Sequence, residues 1–336
     1  MKTTIMRIAL AAVAAIVSMT MNAQDALVAT LQHGDNMLAF YGGNALKQAL
    51  EAAQTGDVIS LSAGTFNATD ITKAITIQGA GYVQDAANNR YSTTINGTTN
   101  IKLSTGEKGL TLEGIILGTV IFFNNVENMT FQKCKIGTLY ADRNECKTKN
   151  CTFDQCRIKV FIPDLKSENL LLKNCIISVF RGNSEDATVL FDHCIYLQSA
   201  ENRYVTATFK NSIIRDYTYH SWGISKTSSF FYNNLFDKST ISNIDNGNNN
   251  TLLSATDFKA LFADGEFAYT DERSYELTAA AAQQYLGDDG TQVGIYGGDT
   301  PFTDVPTNPQ ITSRQIATKT DNDGKLSVKI TVEAQK

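Results

Sequence analysis

The chain has 336 residues, 43% of them hydrophobic, and a formal net charge of −5. That is enough apolar material for a sizeable core, and the acidic balance argues against nucleic acid as a partner. Beyond one apolar run near the N-terminus, no second run is long enough to span a membrane.

Residues 1–23 carry Lys2 and Arg7, the apolar run from Ile8 to Val17, and small residues leading into Met21-Asn22-Ala23-Gln24. This is the pattern of a secretory signal peptide, with cleavage predicted after Ala23. Losing two basic and no acidic residues moves the charge from −5 to −7. The first cysteine is Cys134, so none stands just after the signal to take a lipid, and a secreted or cell-envelope location is expected. Residues 24–56 form an N-terminal segment. Within it, Asn44 followed by Ala45 to Gln54 reads as a short helix with Asn44 as N-cap, covering one end of the next domain.

Between Ala80 and Leu235 one phrase recurs nine times, ending at Ala80, Thr98, Ile115, Cys134, Cys156, Cys175, Cys194, Ser212 and Leu235. The spacings are 18, 17, 19, 22, 19, 19, 18 and 23 residues. Five and three positions before each end point the residues are almost all apolar, and a separation of two puts them on one face of a strand. The position just before the end point is Gly or Asn in six of nine cases, the residues that enter the left-handed region most cheaply, so the strand is predicted to bend there. Helical repeats would need apolar spacings of three and four over ten or more residues, and these runs are short and two-periodic. The prediction is an all-β solenoid, a single-stranded right-handed parallel β-helix of nine or ten coils over residues 57–251. Its coils lie about 4.8 Å apart.

Three segments carry a resemblance: residues 56–66 (Gly56-Asp57-Val58-Ile59-Ser60-Leu61-Ser62-Ala63-Gly64-Thr65-Phe66), residues 75–82 (Ile75-Thr76-Ile77-Gln78-Gly79-Ala80-Gly81-Tyr82) and residues 290–298 (Gly290-Thr291-Gln292-Val293-Gly294-Ile295-Tyr296-Gly297-Gly298). With them the chain resembles the parallel β-helix proteins of the pectin-lyase-like superfamily, especially secreted bacterial members. The resemblance implies the fold and no particular reaction, because such helices host lyases, hydrolases and adhesins alike.

Cys134, Cys156, Cys175 and Cys194 fall at one column, and Cys151 at another, so these five are expected as buried thiols rather than disulfides. Cys146, in a loop, is left either as a thiol or as a partner of Cys151. No His/Cys cluster has metal-ligand spacing.

Inward positions are consumed by the core, so chemistry is expected on outward ones. Residues 215–222 gather Arg215, Asp216, Tyr217, Tyr219, His220 and Trp222, a set able to stack on sugar rings and grip a carboxylate, or else an amphipathic loop half-buried on a neighbour. Asp192-His193 resembles the Asp-His phrase of pectate lyases, and Arg157-Ile158-Lys159 the substrate-binding tripeptide of polygalacturonases. The other residues those families need are missing, and column positions account for His193 and Ile158. Asp142, Asp164, Asn183, Asn202 and His220 share one offset, and stacked oxygens there would suit Ca²⁺, although turn residues of this kind more often bond their own backbone. Lys133, Lys135, Arg157, Lys159, Lys173, Lys210 and Arg215 form a basic strip suited to an acidic polysaccharide, or are simply solvated side chains.

Residues 252–299 read as a C-terminal cap over the last coil, with a helix from Thr278, its N-cap, to Gly287. Pro301, Pro306 and Pro309 mark a linker within 300–336, and Ile311 to Thr318 with Lys325 to Ala334 reads as a terminal hairpin. Two strands alone are barely stable, so the hairpin is expected to dock on the rod or on a partner.

The leading functional expectation is an exported β-helix that engages carbohydrate, such as an acidic polysaccharide, along its side without assignable catalytic machinery. Its substrate-binding set would be Arg157, Arg181, Arg215, Tyr217, Tyr219 and Trp222. The alternative is a polysaccharide lyase on a uronate polymer. Arg215, Lys159 or His220 would be its base, Tyr217 or Tyr219 would give the proton to the leaving oxygen, and Asp142 and Asp164 would hold Ca²⁺. A third reading is a structural or adhesive surface rod.

Overall fold

The computed structural model describes residues 27–333 except 86–90, 142–145, 164–166, 181–187, 199–206, 217–228, 238–247, 308, 318 and 321–322. The chain is a right-handed parallel β-solenoid of about eight turns. It is built on one eleven-stranded and one ten-stranded sheet. The first sheet holds the short strands that precede the predicted bend, and its inward column Ile77, Leu112, Phe131, Phe153, Leu172, Phe191, Phe209 and Phe231 stacks in register. The second sheet holds the strands after the bend, with Leu117, Ile136, Ile158, Ile177, Tyr196, Ile214 and Phe236 aligned inward.

The bend itself is one left-handed residue per coil. Gly114 (φ 64°), Lys133 (48°), Gln155 (54°), Asn174 (48°), His193 (49°), Asn211 (52°), Asn233 (54°) and Asn249 (60°) form a file down the rod. Asn pays little for this geometry, whereas Lys133, Gln155 and His193 each hold it at roughly 1–2 kcal/mol. A second left-handed file, Asn128, Asn150 and Asn169, turns a short third side into the first sheet. Its amides form a ladder, Asn150 Nδ2 donating to Asn128 Oδ1 (3.2 Å) and Asn169 Nδ2 to Asn150 Oδ1 (3.0 Å).

Two predicted phrases are misplaced. Ile95 does not join the inward column of the first sheet: Ile77 pairs directly with Leu112, while Ile95 pairs with Phe66 and Leu117 in the second sheet. The phrase at Thr98 is therefore the far side of the coil begun at Ile75, because strands of both sheets share the two-residue period. The last phrase is shifted by one: Phe231 points in and Tyr232 out, which makes Asn234 the end point. One further strand, Thr251–Leu253, extends the second sheet.

The end-point file is an internal polar seam. The thiols of Cys134, Cys156, Cys175 and Cys194 donate to the carbonyls of Leu112, Phe131, Phe153 and Leu172 at 3.2–3.3 Å. Asn234 and Asn250 continue it, their Nδ2 atoms donating to the carbonyls of Phe209 (2.9 Å) and Phe231 (3.0 Å). Each of these groups satisfies a carbonyl beside the bend of the coil before. The cysteines are thus weak donors at polar positions as well as small hydrophobes. All six cysteines are buried thiols without disulfides, which resolves Cys146 against a bridge to Cys151. Burial pushes the thiols of Cys134, Cys156 and Cys175 well above the usual range. Beside the seam the rings stack, Phe131 on Phe153 at 4.8 Å and Phe191 on Phe209 at 4.6 Å.

At the N-terminal end β1 (Val28–His33) pairs antiparallel with β2 (Asn36–Tyr41) and with Val58–Leu61. This hairpin was not foreseen. Helix α1 (Ala45–Ala52) follows and buries Ala45, Leu46, Ala49 and Leu50. Asn44 sits at its start but makes no cap bond; its Oδ1 accepts from Asn67 Nδ2 instead. Among the described residues, two more helices lie beyond the coils. The α2 helix (Ala255–Ala260) has a Ser254 cap absent from the sequence reading, and α3 (Ala279–Gln284) has the expected Thr278 cap on Ala281 N–H. Strands Gln310–Ile316 and Val328–Glu333 form the terminal antiparallel hairpin.

Candidate functional site

The outward file of the second sheet runs Lys135, Arg157, Ile176, Ile195, Ile213 and Leu235. Its four apolar members are buried in a second core with Phe258, Leu261, Phe262, Tyr275, Val293, Ile295 and Phe302. The residues from Phe258 to Phe302 in this core therefore lie along the flank of the rod, with α2 and the end of α3 beside the last strands, rather than simply closing the end. The apolar outward file was the sequence signal for this, since Ile176–Phe180 is buried on both faces.

From α3 the chain returns along the bend file as a strap. Asp288 Oδ1 accepts from Asn211 Nδ2 (2.9 Å), and Thr291 Oγ1 lies 3.3 Å from His193 Nε2. Asn174 Nδ2 donates to the carbonyls of Ile295 and Gly297, both at 2.8 Å. Thr303 N–H donates to Gln155 Oε1 (3.1 Å), and Lys133 Nζ to the Val305 carbonyl (2.9 Å). Left-handed residues project their side chains off the corner, and every such side chain from Lys133 to Asn211 is buried under this strap.

The predicted basic strip is largely engaged within the chain. Lys133 is capped as above, Lys135 Nζ is 2.9 Å from Asp271 Oδ2, and Lys210 Nζ is 2.9 Å from Asp288 Oδ2. Arg157 is buried, donating through Nη2 to the Arg273 carbonyl (2.9 Å) with its guanidinium 5.3 Å from the Phe302 ring centre. Its assignment as a substrate-binding residue does not match that position. Arg215 lies 3.4 Å from Asp237 Oδ2 and stacks on Phe267 at 4.3 Å. Lys159 is exposed on the same outward file as Arg215, three strands away, about 14 Å at ordinary strand spacing. Arg181, Tyr217, Tyr219, His220, Trp222, Asp142 and Asp164 lie outside the described residues. Among the described residues, no three His, Cys, Asp or Glu side chains are grouped to hold a metal, so the Ca²⁺ expectation gains no site there.

His193 belongs to the strap. Its Nδ1 is 3.0 Å from Asp192 Oδ1 and its Nε2 3.4 Å from Asp289 Oδ2. A Cβ added at Gly297 would come 2.5 Å from its ring, so only glycine lets the strap pass. Lys210, then Asn211, hold the Asp288 carboxyl below the usual range. Burial works to raise that of Asp289, but the Thr291 N–H and hydroxyl and the charge of His193 outweigh it and lower it. Carboxyls depressed in the folded state stabilise it above the ordinary carboxyl pKa and lose that contribution as pH falls through the folded value. The melting temperature is therefore expected to hold steady from neutral pH to about 5 and to fall below about 4. The acid-side fall should be shallower in Asp288→Asn, as followed by circular dichroism.

One surface cavity of about 340 Å³ opens where the strap begins. Asn233, Asn249, Gln284 and Asp288 supply amide and carboxylate groups, and Tyr285, Leu286 and Val293 an apolar wall. Two of these groups sit on successive bends, Gln284 ends α3 and Asp288 follows it, so the sequence separates what the strap brings together. The runs Asn233-Asn234 and Asn248-Asn249-Asn250 were the available hint. No family model, curated protein or solved structure matches this chain.

Proposed function

We propose that this protein is an exported, pectin-lyase-like β-helix that binds extracellular carbohydrate without cleaving it, and that the cavity beside α3 receives a sugar unit. The observation that carries the reading is the cavity's lining: amides on two bends, Gln284 and Asp288 converge over an apolar wall, the mixture that hydroxyl-rich rings require. Its volume falls at the small end of ligand pockets, ~300–1,000 Å³. The acidic-polymer version has less support, since five of the seven strip residues are engaged within the chain. A lyase needs a base and a carboxylate-neutralising group at one carbon, and the described candidates Lys159 and Arg215 start from strands about 14 Å apart, which favours the non-cleaving reading. The apolar run of residues 1–23 supports export.

Glycan-array screening followed by calorimetry tests the proposal. A neutral or mixed glycan is expected to bind, with Asn249→Ala and Gln284→Ala each weakening it at least about tenfold, the loss of a hydrogen bond or two. Absence of binding to any glycan, or binding untouched by both substitutions, would overturn it.

A further inference from the structure

Twelve large apolar side chains are exposed among the described residues, and seven belong to two elements: Met37, Leu38 and Tyr41 on β2, and Leu326, Val328, Ile330 and Val332 in or beside the second strand of the terminal hairpin. Met37 is 67% exposed and Val332 53%. β2 is the outermost strand of the eleven-stranded sheet, paired only with β1. Its sequence, Asn36-Met37-Leu38-Ala39-Phe40-Tyr41, contains no charge and no proline, the devices that normally stop an edge from pairing. The hairpin is a separate two-stranded sheet, a construction barely stable by itself.

The strap carries the root of the hairpin to the end of the rod where β2 lies. Pro306 packs where a Cβ added at Gly81 would lie 3.2 Å away, just after Thr76–Gln78. Three strand spacings, about 14 Å, separate that strand from β2. The four residue-to-residue steps from Pro306 to Gln310 can reach ~13 Å when extended. The charges are complementary as well. Residues 27–57 carry Lys47 against Asp35, Glu51 and Asp57, a net −2, whereas 309–336 carry Arg314 and four lysines against Asp321, Asp323 and Glu333, a net +2. Within one chain the hairpin and the β2 edge do not pair, so each is available to a second molecule.

We propose that the N-terminal end of the rod binds a second copy of this chain, each copy adding its terminal hairpin to the other's β2 edge. Reciprocal exchange closes a two-fold dimer, covers both apolar surfaces, and turns each two-stranded hairpin into part of a larger sheet. This pairing is independent of the carbohydrate reading, whose cavity lies toward the opposite end.

The test uses the chain without residues 1–23 and two variants: the double substitution Met37→Lys/Leu38→Lys, which breaks the edge at exposed positions, and a truncation after Thr307, which removes the hairpin. Circular dichroism and thermal melting confirm that both variants keep the solenoid. Light scattering on eluted peaks at micromolar concentration should show the unaltered chain as a dimer and each variant alone as a monomer. An equimolar mixture of the two variants should yield a one-to-one heterodimer, because one supplies an intact hairpin and the other an intact edge. A monomeric unaltered chain, a dimer that survives the truncation, or variants that stay apart on mixing would each overturn the proposal. Glycan binding should be unchanged in both variants, which keeps the two proposals distinguishable.

Discussion

Asn174→Ala is expected to lower stability by about 3 kcal/mol and to loosen the strap. The substitution removes two buried hydrogen bonds, each worth roughly 1 kcal/mol, and forces a Cβ residue without a polar side chain into the left-handed region at a similar cost. Asn174 is fully buried, and its two acceptors, the carbonyls of Ile295 and Gly297, hold the strap at its midpoint. Asn174→Gly separates the contributions, since glycine tolerates the bend and loses only the amide, so about 2 kcal/mol is expected there. Urea unfolding measures both values. Limited proteolysis should cut within residues 288–306 of the alanine variant well before the unaltered protein is cut. Equal stability of the alanine variant and the parent would show that the bend file does not hold the strap.

Phe153→Ala is expected to cost about 3–5 kcal/mol, the range for emptying a fully buried aromatic site. Its ring stacks on Phe131 at an interplanar angle of 6° and meets Phe161 at 5.1 Å between centroids, so truncation removes contacts to two sheets at once. Phe153→Leu should cost less, roughly 1–2 kcal/mol, because a branched aliphatic chain fills much of the space. Coils of a solenoid interact chiefly with their neighbours, so the damage should be local. Hydrogen exchange should quicken in Thr130–Gln132 and Leu170–Lys173 and remain slow in β1 and in the strand Val58–Leu61. Uniform quickening along the whole rod would instead mean that it unfolds as a single unit.

The fold was legible because each coil repeats the same demands. Period-two apolar residues fix the strands, and a cheap left-handed residue fixes the bend. The same regularity caused the error at Thr98, where a strand of the second sheet shows the period of the first. Lys133, Gln155 and His193 occupy the bend against their propensity, and only the strap explains them: Val305, Thr303 and the Asp289–Thr291 turn each receive one of these side chains. The basic strip was real as a sequence feature, but five of its seven members meet the chain's own carbonyls and carboxylates. Deciding that required knowing where residues more than a hundred positions later would pass, as with Arg157 and Arg273.

By itself the sequence determined the parallel solenoid, the thiol file, the capping Thr278 and the terminal hairpin, all set by local periodicity and turn chemistry acting over fewer than two coils. The tertiary structure alone decided that the chain from Phe258 to Phe302 lines the flank, that the bend residues serve a strap, and that the strap ends at Pro306 beside Gly81, three strands from β2. Those outcomes depend on which outward faces meet, and outward faces carry no period that names their partner.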